Sequence, residues 1–266
     1  MKVVVIDDDP TGSQAVHSCL LLLRWDVEAL RRGWRHGSPL LFVLADTRSL
    51  TPDAAAQRNR EIVTNLELAL TEEGLDRSEI QLVSRGDSTL RGHGVVEPAV
   101  LESCFGPFAA TLHVPAFIEG GRTTVNGVHL LHGEPVHTTP FAKDRLFGFS
   151  TSDLSHWLEQ KSAGAICAAD VVKVSLDDLD QASAGGMIYL IQRLAALQGN
   201  AAVVVDAEHQ SQLAALAEAV LALKGERRFL FRSAASVVKA LADPGPQPLD
   251  SDGSVSYTHL TLPTKA

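Results

Sequence analysis

Short runs of β-branched residues and leucine recur along the chain: Val3–Ile6, Leu40–Leu44, Ile80–Val83, Thr111–Val114, Val171–Val174, Ala202–Val205 and Phe229–Phe231. Continuous apolar runs of this length, without polar alternation, are the pattern of strands covered on both faces. Between several of them the period lengthens to that of a helix. Thr51-Pro52-Asp53 offers a capping hydroxyl followed by proline at the first helical position, and Ile62, Leu66 and Leu70 then recur every fourth residue until Gly74. Leu213, Leu216, Val220 and Leu223 form a second stripe. Strands alternating with helices predict an α/β fold: a mostly parallel sheet flanked by helices on both faces, a three-layer sandwich. No internal repeat is visible. His129 to Ser152 has glycines, prolines and little periodicity, which predicts a long functional loop.

The polar stretches that follow the apolar runs carry the candidate chemistry, because open α/β sheets build ligand sites beyond the carboxyl ends of their strands. The densest is Ser84-Arg85-Gly86-Asp87-Ser88-Thr89-Leu90-Arg91-Gly92-His93. Its arginines can grip a carboxylate or phosphate in a bidentate manner. Equally, Asp87 and Arg91 could be a structural ion pair, and His93 a cap or a surface residue. After the first run comes Asp7-Asp8-Asp9-Pro10-Thr11-Gly12. Three consecutive carboxylates repel one another and need cations, hydroxyls or helix-terminal amides nearby, the last available from a helix after Gly12. Such a site suits polyol hydroxyls, Mg²⁺ or a general base; the bland reading is a helix cap plus a solvated pair. Arg48 follows the second run. Glu119-Gly120-Gly121-Arg122-Thr123-Thr124 could shape an anion-accepting turn or only a tight connection. His129, His132 and His137 lack zinc-motif spacing and read as loop histidines, and Lys143 with Asp144 could reach a substrate or pair on the surface.

Composition narrows the classes. The 266 residues suffice for one large or two small domains, and the hydrophobic fraction of 45% and charged fraction of 21% are those of a globular protein. The net charge of -9 argues against a nucleic-acid or anionic-membrane binder. Cys19, Cys104 and Cys167 are scattered, Cys19 and Cys167 in apolar contexts that predict buried thiols, as suits a reducing cytoplasm. No apolar run is long enough to span a bilayer. No glycine precedes a lysine, so there is no Walker A loop; Gly92-His93-Gly94 starts a dinucleotide fingerprint, but Glu97 stands at its third glycine position. There is no Gly-x-Ser-x-Gly elbow.

Pro244-Gly245-Pro246-Gln247-Pro248 reads as the start of a linker covering 243–254. Val255 to Thr264 resembles one-frame translation of a sequencing adapter, so 255–266 is expected to be a non-native tail. Asp8-Asp9-Pro10-Thr11-Gly12, Asp87-Ser88-Thr89-Leu90-Arg91-Gly92, Gly121-Arg122-Thr123-Thr124 and Pro140-Phe141-Ala142-Lys143-Asp144, in this order, resemble the motifs of the four-carbon acid sugar kinase family over about residues 3–242. The resemblance implies the sugar-binding N-terminal domain of an ATP-dependent kinase for acids such as threonate, erythronate or 3-oxo-tetronate. It implies that Asp8, Asp9 and Asp87 meet substrate hydroxyls, one of them as base. Arg91 and Arg122 would take the carboxylate or transferred phosphate. Thr11, Gly12, Arg48, Arg85, Ser88, Thr89, Gly121 and Lys143 would complete the substrate contacts. ATP and Mg²⁺ would belong to the full-length enzyme and be bound through a nucleotide domain absent here, leaving this chain inactive alone. Where many members carry Asp after the Thr-Gly, this chain has Ser13-Gln14-Ala15. The expected partner is a small sugar acid, in a cytoplasmic protein, with a homodimer left open. The alternatives are a stand-alone sugar-acid sensor and a metal-dependent hydrolase or aldolase.

Overall fold

The structure, a computed structural model, describes residues 1–10, 16 and 19–242. The strands in chain order are β1 (Lys2–Asp7), β2 (Leu20–Leu22), β3 (Leu40–Leu44), β4 (Ile80–Arg85), β5 (Ala110–Val114), β6 (Arg122–Val125), β7 (Val128–Leu131), β8 (Glu134–Pro135), β9 (Val172–Val174), β10 (Ala201–Val205) and β11 (Phe229–Ser233). The helices are α1 (Val27–Arg35), α2 (Pro52–Glu72), α3 (Val96–Phe105), α4 (Leu154–Lys161), α5 (Leu176–Gln181), α6 (Met187–Ala195), α7 (Gln210–Ala222) and α8 (Ala235–Ala242). Eight strands form one wholly parallel sheet in the order β2-β3-β1-β4-β11-β5-β10-β9.

Alternation along each strand sorts the core into two layers. Val3 and Val5 of β1 join Phe42, Leu112 and Phe231 in a cluster closed by Leu179, Leu190, Leu216 and Val238 from α5, α6, α7 and α8. Val4 and Ile6 face the other way, against Leu30, Ile62, Leu66 and Leu101 from α1, α2 and α3. Farther along that second face, α4 seals the sheet with Leu154, Trp157 and Leu158 around Val204. The three-layer sandwich therefore follows from apolar side chains leaving both faces of every central strand. In α2 the Thr51 hydroxyl accepts from the Ala54 N–H at 3.3 Å, with proline in the first turn. Its Ile62, Leu66 and Leu70 are at most 3% exposed, each burial contributing about 1.5–3 kcal/mol.

The strand order places the site. After β1 the chain builds β2 and β3 on one side, then crosses to β4 on the other, so a crevice opens between the carboxyl ends of β1 and β4. The register sets Asp7 opposite Arg85, and Arg85 opposite Ser233.

Several expectations change. The region read as a long loop from His129 to Ser152 holds most of β7 and all of β8 of a three-stranded antiparallel sheet, β6-β7-β8, with tight helical turns after them. Its strands are too short for periodicity to reveal. His129 is accordingly a fully buried strand residue, not a loop histidine. His93 is neither cap nor surface residue: it is buried, bonded to the Leu50 carbonyl at 3.0 Å and packed edge-on against Phe147. Cys167 is exposed and Cys19 only half-buried, because the apolar neighbours of Cys167 lie in a turn at the surface rather than in a strand. The expected helix after Gly12, the linker and the tail lie outside the described residues.

Candidate functional site

Main-chain bonds knit the loops of the crevice together before any side chain acts. The Asp8 N–H donates to the Arg85 carbonyl (3.2 Å), Arg48 N–H to the Asp8 carbonyl (3.1 Å) and Gly86 N–H to the Ser233 carbonyl (2.8 Å). The loops after β1, β3, β4 and β11 thus share one floor.

On that floor the Asp8 carboxylate, 1% exposed, is ringed by guanidinium groups. Arg48 approaches it at 2.7 Å and also reaches Asp9 at 3.0 Å; Arg85 lies at 4.0 Å and Arg232 at 3.9 Å. Arg232, from β11, donates to Ser84 Oγ at 2.8 Å and pairs with the buried carboxylate of Glu97, which also accepts from the Thr47 hydroxyl. Arg85 bonds Asp7 at 3.2 Å. The run of carboxylates is stable in a dry crevice because each has an arginine against it; an unpaired buried charge would be prohibitive. Burial dominates at Asp7 and, with Asp8 beside it, raises its carboxyl to about 7 against the opposing pull of Arg85. Burial likewise pushes Glu97 up, against Arg232.

The loop after β4 arches over this cluster, and two glycines allow the approach. A Cβ at Gly86 would stand 2.4 Å from Arg232, and one at Gly92, with φ +94°, would stand 2.7 Å from Asp8. Leu90 holds φ 66° although it is leucine and buried, a backbone strain that clusters at functional sites. At the rim, Asp87 takes a hydrogen bond from the Thr89 hydroxyl and an ion pair from Arg91 at 2.6 Å. Arg91 also lies over the Phe141 ring at 4.9 Å. Burial would raise Asp87, but Thr89, Arg91 and Arg48 together outweigh it and hold the carboxyl below its usual range. Asp87 is therefore held as a carboxylate. Underneath, His129 bonds the Ser88 carbonyl at 2.7 Å and the Thr124 hydroxyl at 2.9 Å. Burial lowers its imidazole to about 4, so it is neutral at physiological pH.

Oxygen acceptors beside forked cations suit a small ligand with both carboxylate and hydroxyl groups. The fold's family agrees: residues 3–241 match the model of the sugar-binding N-terminal domain. The chain belongs to this sugar-binding family. It is 32% identical over 212 residues to a D-threonate kinase of Cupriavidus necator, covering 77% of this chain and 45% of that protein. It is 28% identical over 151 residues to a D-erythronate kinase of Heliobacterium modesticaldum, covering 54% and 32%. The chain thus spans less than half the length of these relatives. Among solved structures, a domain of unknown function from Bordetella bronchiseptica, crystallised with citrate as a domain-swapped dimer, superposes with a TM-score of 0.70 at 24% identity, over 91% of this chain and 57% of that one. A Haemophilus influenzae protein superposes at 0.66 with 18% identity, over 92% and 57%. At these identities the two structures show the fold alone.

Of the residues singled out in the sequence, this sugar-binding domain brings Asp8, Asp9, Arg48 and Arg85 into direct contact, and Asp87, Thr89 and Arg91 into a second knot on the adjoining loop. Ser88 contributes its carbonyl to His129. Gly121 turns the chain into β6, where Arg122 bonds the Gly120 carbonyl at 2.6 Å and lies over Phe117. Lys143 is exposed, with no side-chain partner, and Asp144 caps its own turn by accepting from Leu146 and Phe147. Thr11 and Gly12 lie outside the described residues. Sequence reading missed Arg232, Glu97 and the role of His129. Arg232 carried a signal: like Asp7 and Arg85, it is a charge at the carboxyl end of an apolar run. Among the described residues no three His, Cys, Asp or Glu side chains converge as metal ligands. No helix among them is long and apolar enough to cross a membrane.

Proposed function

We propose that this chain is the acceptor-binding portion of a kinase for a four-carbon sugar acid, of the threonate, erythronate or 3-oxo-tetronate type. The observation that carries the reading is the Asp8–Arg48–Arg85 cluster at the β1–β4 crevice, roofed by Asp87 and Arg91. A tetronate offers a carboxylate to the arginine forks and vicinal hydroxyls to Asp9 and Asp87. The buried Nε atoms of Arg85 and Arg122 have no protein partner, and a buried guanidinium N–H without an acceptor favours an anionic or oxygen-rich ligand. Phosphoryl transfer needs the acceptor hydroxyl held in position and cations around the phosphates. In this reading the chain supplies the first, while ATP and Mg²⁺ are held by a region corresponding to the part of the kinase relatives that this chain does not match.

The test is calorimetry with a panel of tetronates, citrate and neutral tetritols. At least one tetronate should bind, neutral tetritols should not, and Asp87→Asn should weaken binding roughly tenfold. Failure of every tetronate to bind rejects the reading. The chain alone should leave ATP unhydrolysed in the presence of the bound acid; turnover would reject the division of labour.

A further inference from the structure

The β6–β7 hairpin is fastened to the body of the domain along its length. Thr124 and Ala207, just past β10, exchange main-chain bonds of 3.0 and 2.9 Å. At the turn, the buried carboxylate of Asp206 accepts from the N–H groups of Asn126 at 2.9 Å and Gly127 at 2.8 Å. His129 N–H donates to the Ser152 carbonyl, and Leu154 N–H to the Gly127 carbonyl, each at 2.8 Å. The middle of the 86–94 loop is held differently. Gly86, Asp87, Leu90, Arg91 and Arg232 line a half-open cavity behind the crevice, so the loop does not rest on packed core throughout. Among the described residues, the hydrogen bonds of Asp87, Thr89, Leu90 and Arg91 stay inside the loop. Ser88 reaches out of it: its carbonyl accepts from the His129 ring at 2.7 Å. Two residues on, Leu90 keeps φ 66°, a conformation that lasts where the surroundings enforce it.

The chemistry of the Ser88 bond fixes the proton on the ring. A carbonyl can only accept, so Nε2 of His129 carries the hydrogen. Nδ1 is then bare and accepts from the Thr124 hydroxyl at 2.9 Å. Thr124 stands directly opposite His129 in the β6–β7 register, which holds the hydroxyl where the ring needs it. In this tautomer both nitrogens are paired, although ring and hydroxyl are completely buried. An apolar residue would fill the position more cheaply if packing were all it did, since a buried polar ring costs free energy until both nitrogens are paired. The ring also lies near charges from both sides: Arg122 of the hairpin disfavours its protonation and Asp87 of the loop favours it.

We propose that His129 is a positioning residue: as the Nε2–H tautomer it locks the acceptor loop to the anchored β6–β7 hairpin, so that Asp87 and Arg91 on the loop and Arg122 on the hairpin face a ligand as one rigid surface. The ring itself is sealed and touches no ligand; it acts through the Ser88 carbonyl. For the identity of the ligand the inference rests on the sugar-acid reading above. The tie between loop and hairpin does not.

The chain without any sugar acid tests the tie. Nitrogen-15 NMR of the imidazole, assigned by its loss in His129→Gln, should show the proton on Nε2 at neutral pH; a proton on Nδ1 overturns the proposal. His129→Asn keeps an amide beside Thr124 but is too short to reach Ser88. It should speed amide exchange from Ser88 to Arg91 at least several-fold while α2 and β10 exchange as before. His129→Gln sets its amide nitrogen near the place of Nε2 and should bring the loop back to within about twofold of the wild type. Thr124→Val, which leaves the Ser88 bond in place, should lower the denaturation midpoint without loosening the loop. Equal loop exchange in all these chains, or acceleration spread evenly over the domain, would mean that His129 serves stability alone. If the Asn variant fails to fold, the tautomer of the wild type and the Gln and Val variants decide. Tetronate affinity should fall about tenfold in His129→Asn and recover in His129→Gln. Should no tetronate bind the wild type, the sugar-acid reading falls, while tautomer and exchange still decide the tie.

Discussion

The β1–β4 crevice and the cavity behind it share Arg232 and the 86–94 loop, yet they solve the burial of polar groups in opposite ways. In the crevice every buried charge has a protein counter-charge: Asp7 with Arg85, Asp8 with Arg48, Glu97 with Arg232. Beside it stand neutral groups, and the buried Ser233 Oγ and Trp157 Nε1 have no protein partner. The difference follows from cost. An isolated ion in a low-dielectric interior costs far more than an isolated hydroxyl or N–H, so the fold must match charges with charges of its own and tolerates an unmatched neutral group. A cluster made this way is stiff where it is charged, because each arginine is fixed by a carboxylate.

Breaking the charged half should have the largest effect. Arg232→Met leaves Glu97 and Asp8 facing each other in a dry space and should destabilise the domain by about 3–5 kcal/mol in denaturant unfolding. The double variant Arg232→Met/Glu97→Gln should recover much of that loss. If the single change costs under about 1 kcal/mol, the pairing is not what makes the burial tolerable.

Next comes the pH response of Asp7. Its carboxyl is raised to about 7, so the protonated form favours the folded state. The stability it lends is full below the unfolded value near 4 and is lost as pH rises through 7, a swing of roughly 4 kcal/mol. Asp7→Asn should remove this swing, gaining on the wild type between pH 5 and pH 8; a constant difference across that range would contradict it. His129, lowered to about 4, has the opposite sense: its contribution is present above about 6.5 and lost as pH falls through 4.

A third change separates charge from geometry. Arg48→Lys keeps the positive charge beside Asp8 but loses the fork, and should weaken tetronate binding about tenfold in calorimetry. Unchanged affinity would mean that Arg48 serves Asp8 rather than the ligand. The smallest effect is expected at exposed, unpartnered Lys143: Lys143→Ala should alter stability by less than about 0.5 kcal/mol. A clear loss of affinity at unchanged stability would bring this lysine to the ligand.

Much of the fold was legible along the chain. Seven apolar runs all fall in strands of the parallel sheet, and the Thr51-Pro52 start of α2 is where its cap and proline predict. The residues of the 84–93 loop and Asp8-Asp9 were legible as polar clusters after strands, and their family pattern agrees with the matched sugar-binding domain. The antiparallel β6-β7-β8 sheet was not, since strands of two to four residues carry too little period to read. Nor was the burial of His93 and His129, whose partners are the carbonyls of Leu50 and Ser88, groups that every residue has and no sequence pattern marks.

The sequence by itself determined which segments are strands and helices, and which strand ends carry charge, because apolar periodicity and capping are local properties. Only the tertiary structure decided which charges meet. Arg232 and Glu97 are 135 residues apart, and the contact exists because β11 is inserted between β4 and β5, out of chain order. Strand order is set by how whole layers pack, and that cannot be read from any one stretch of the chain.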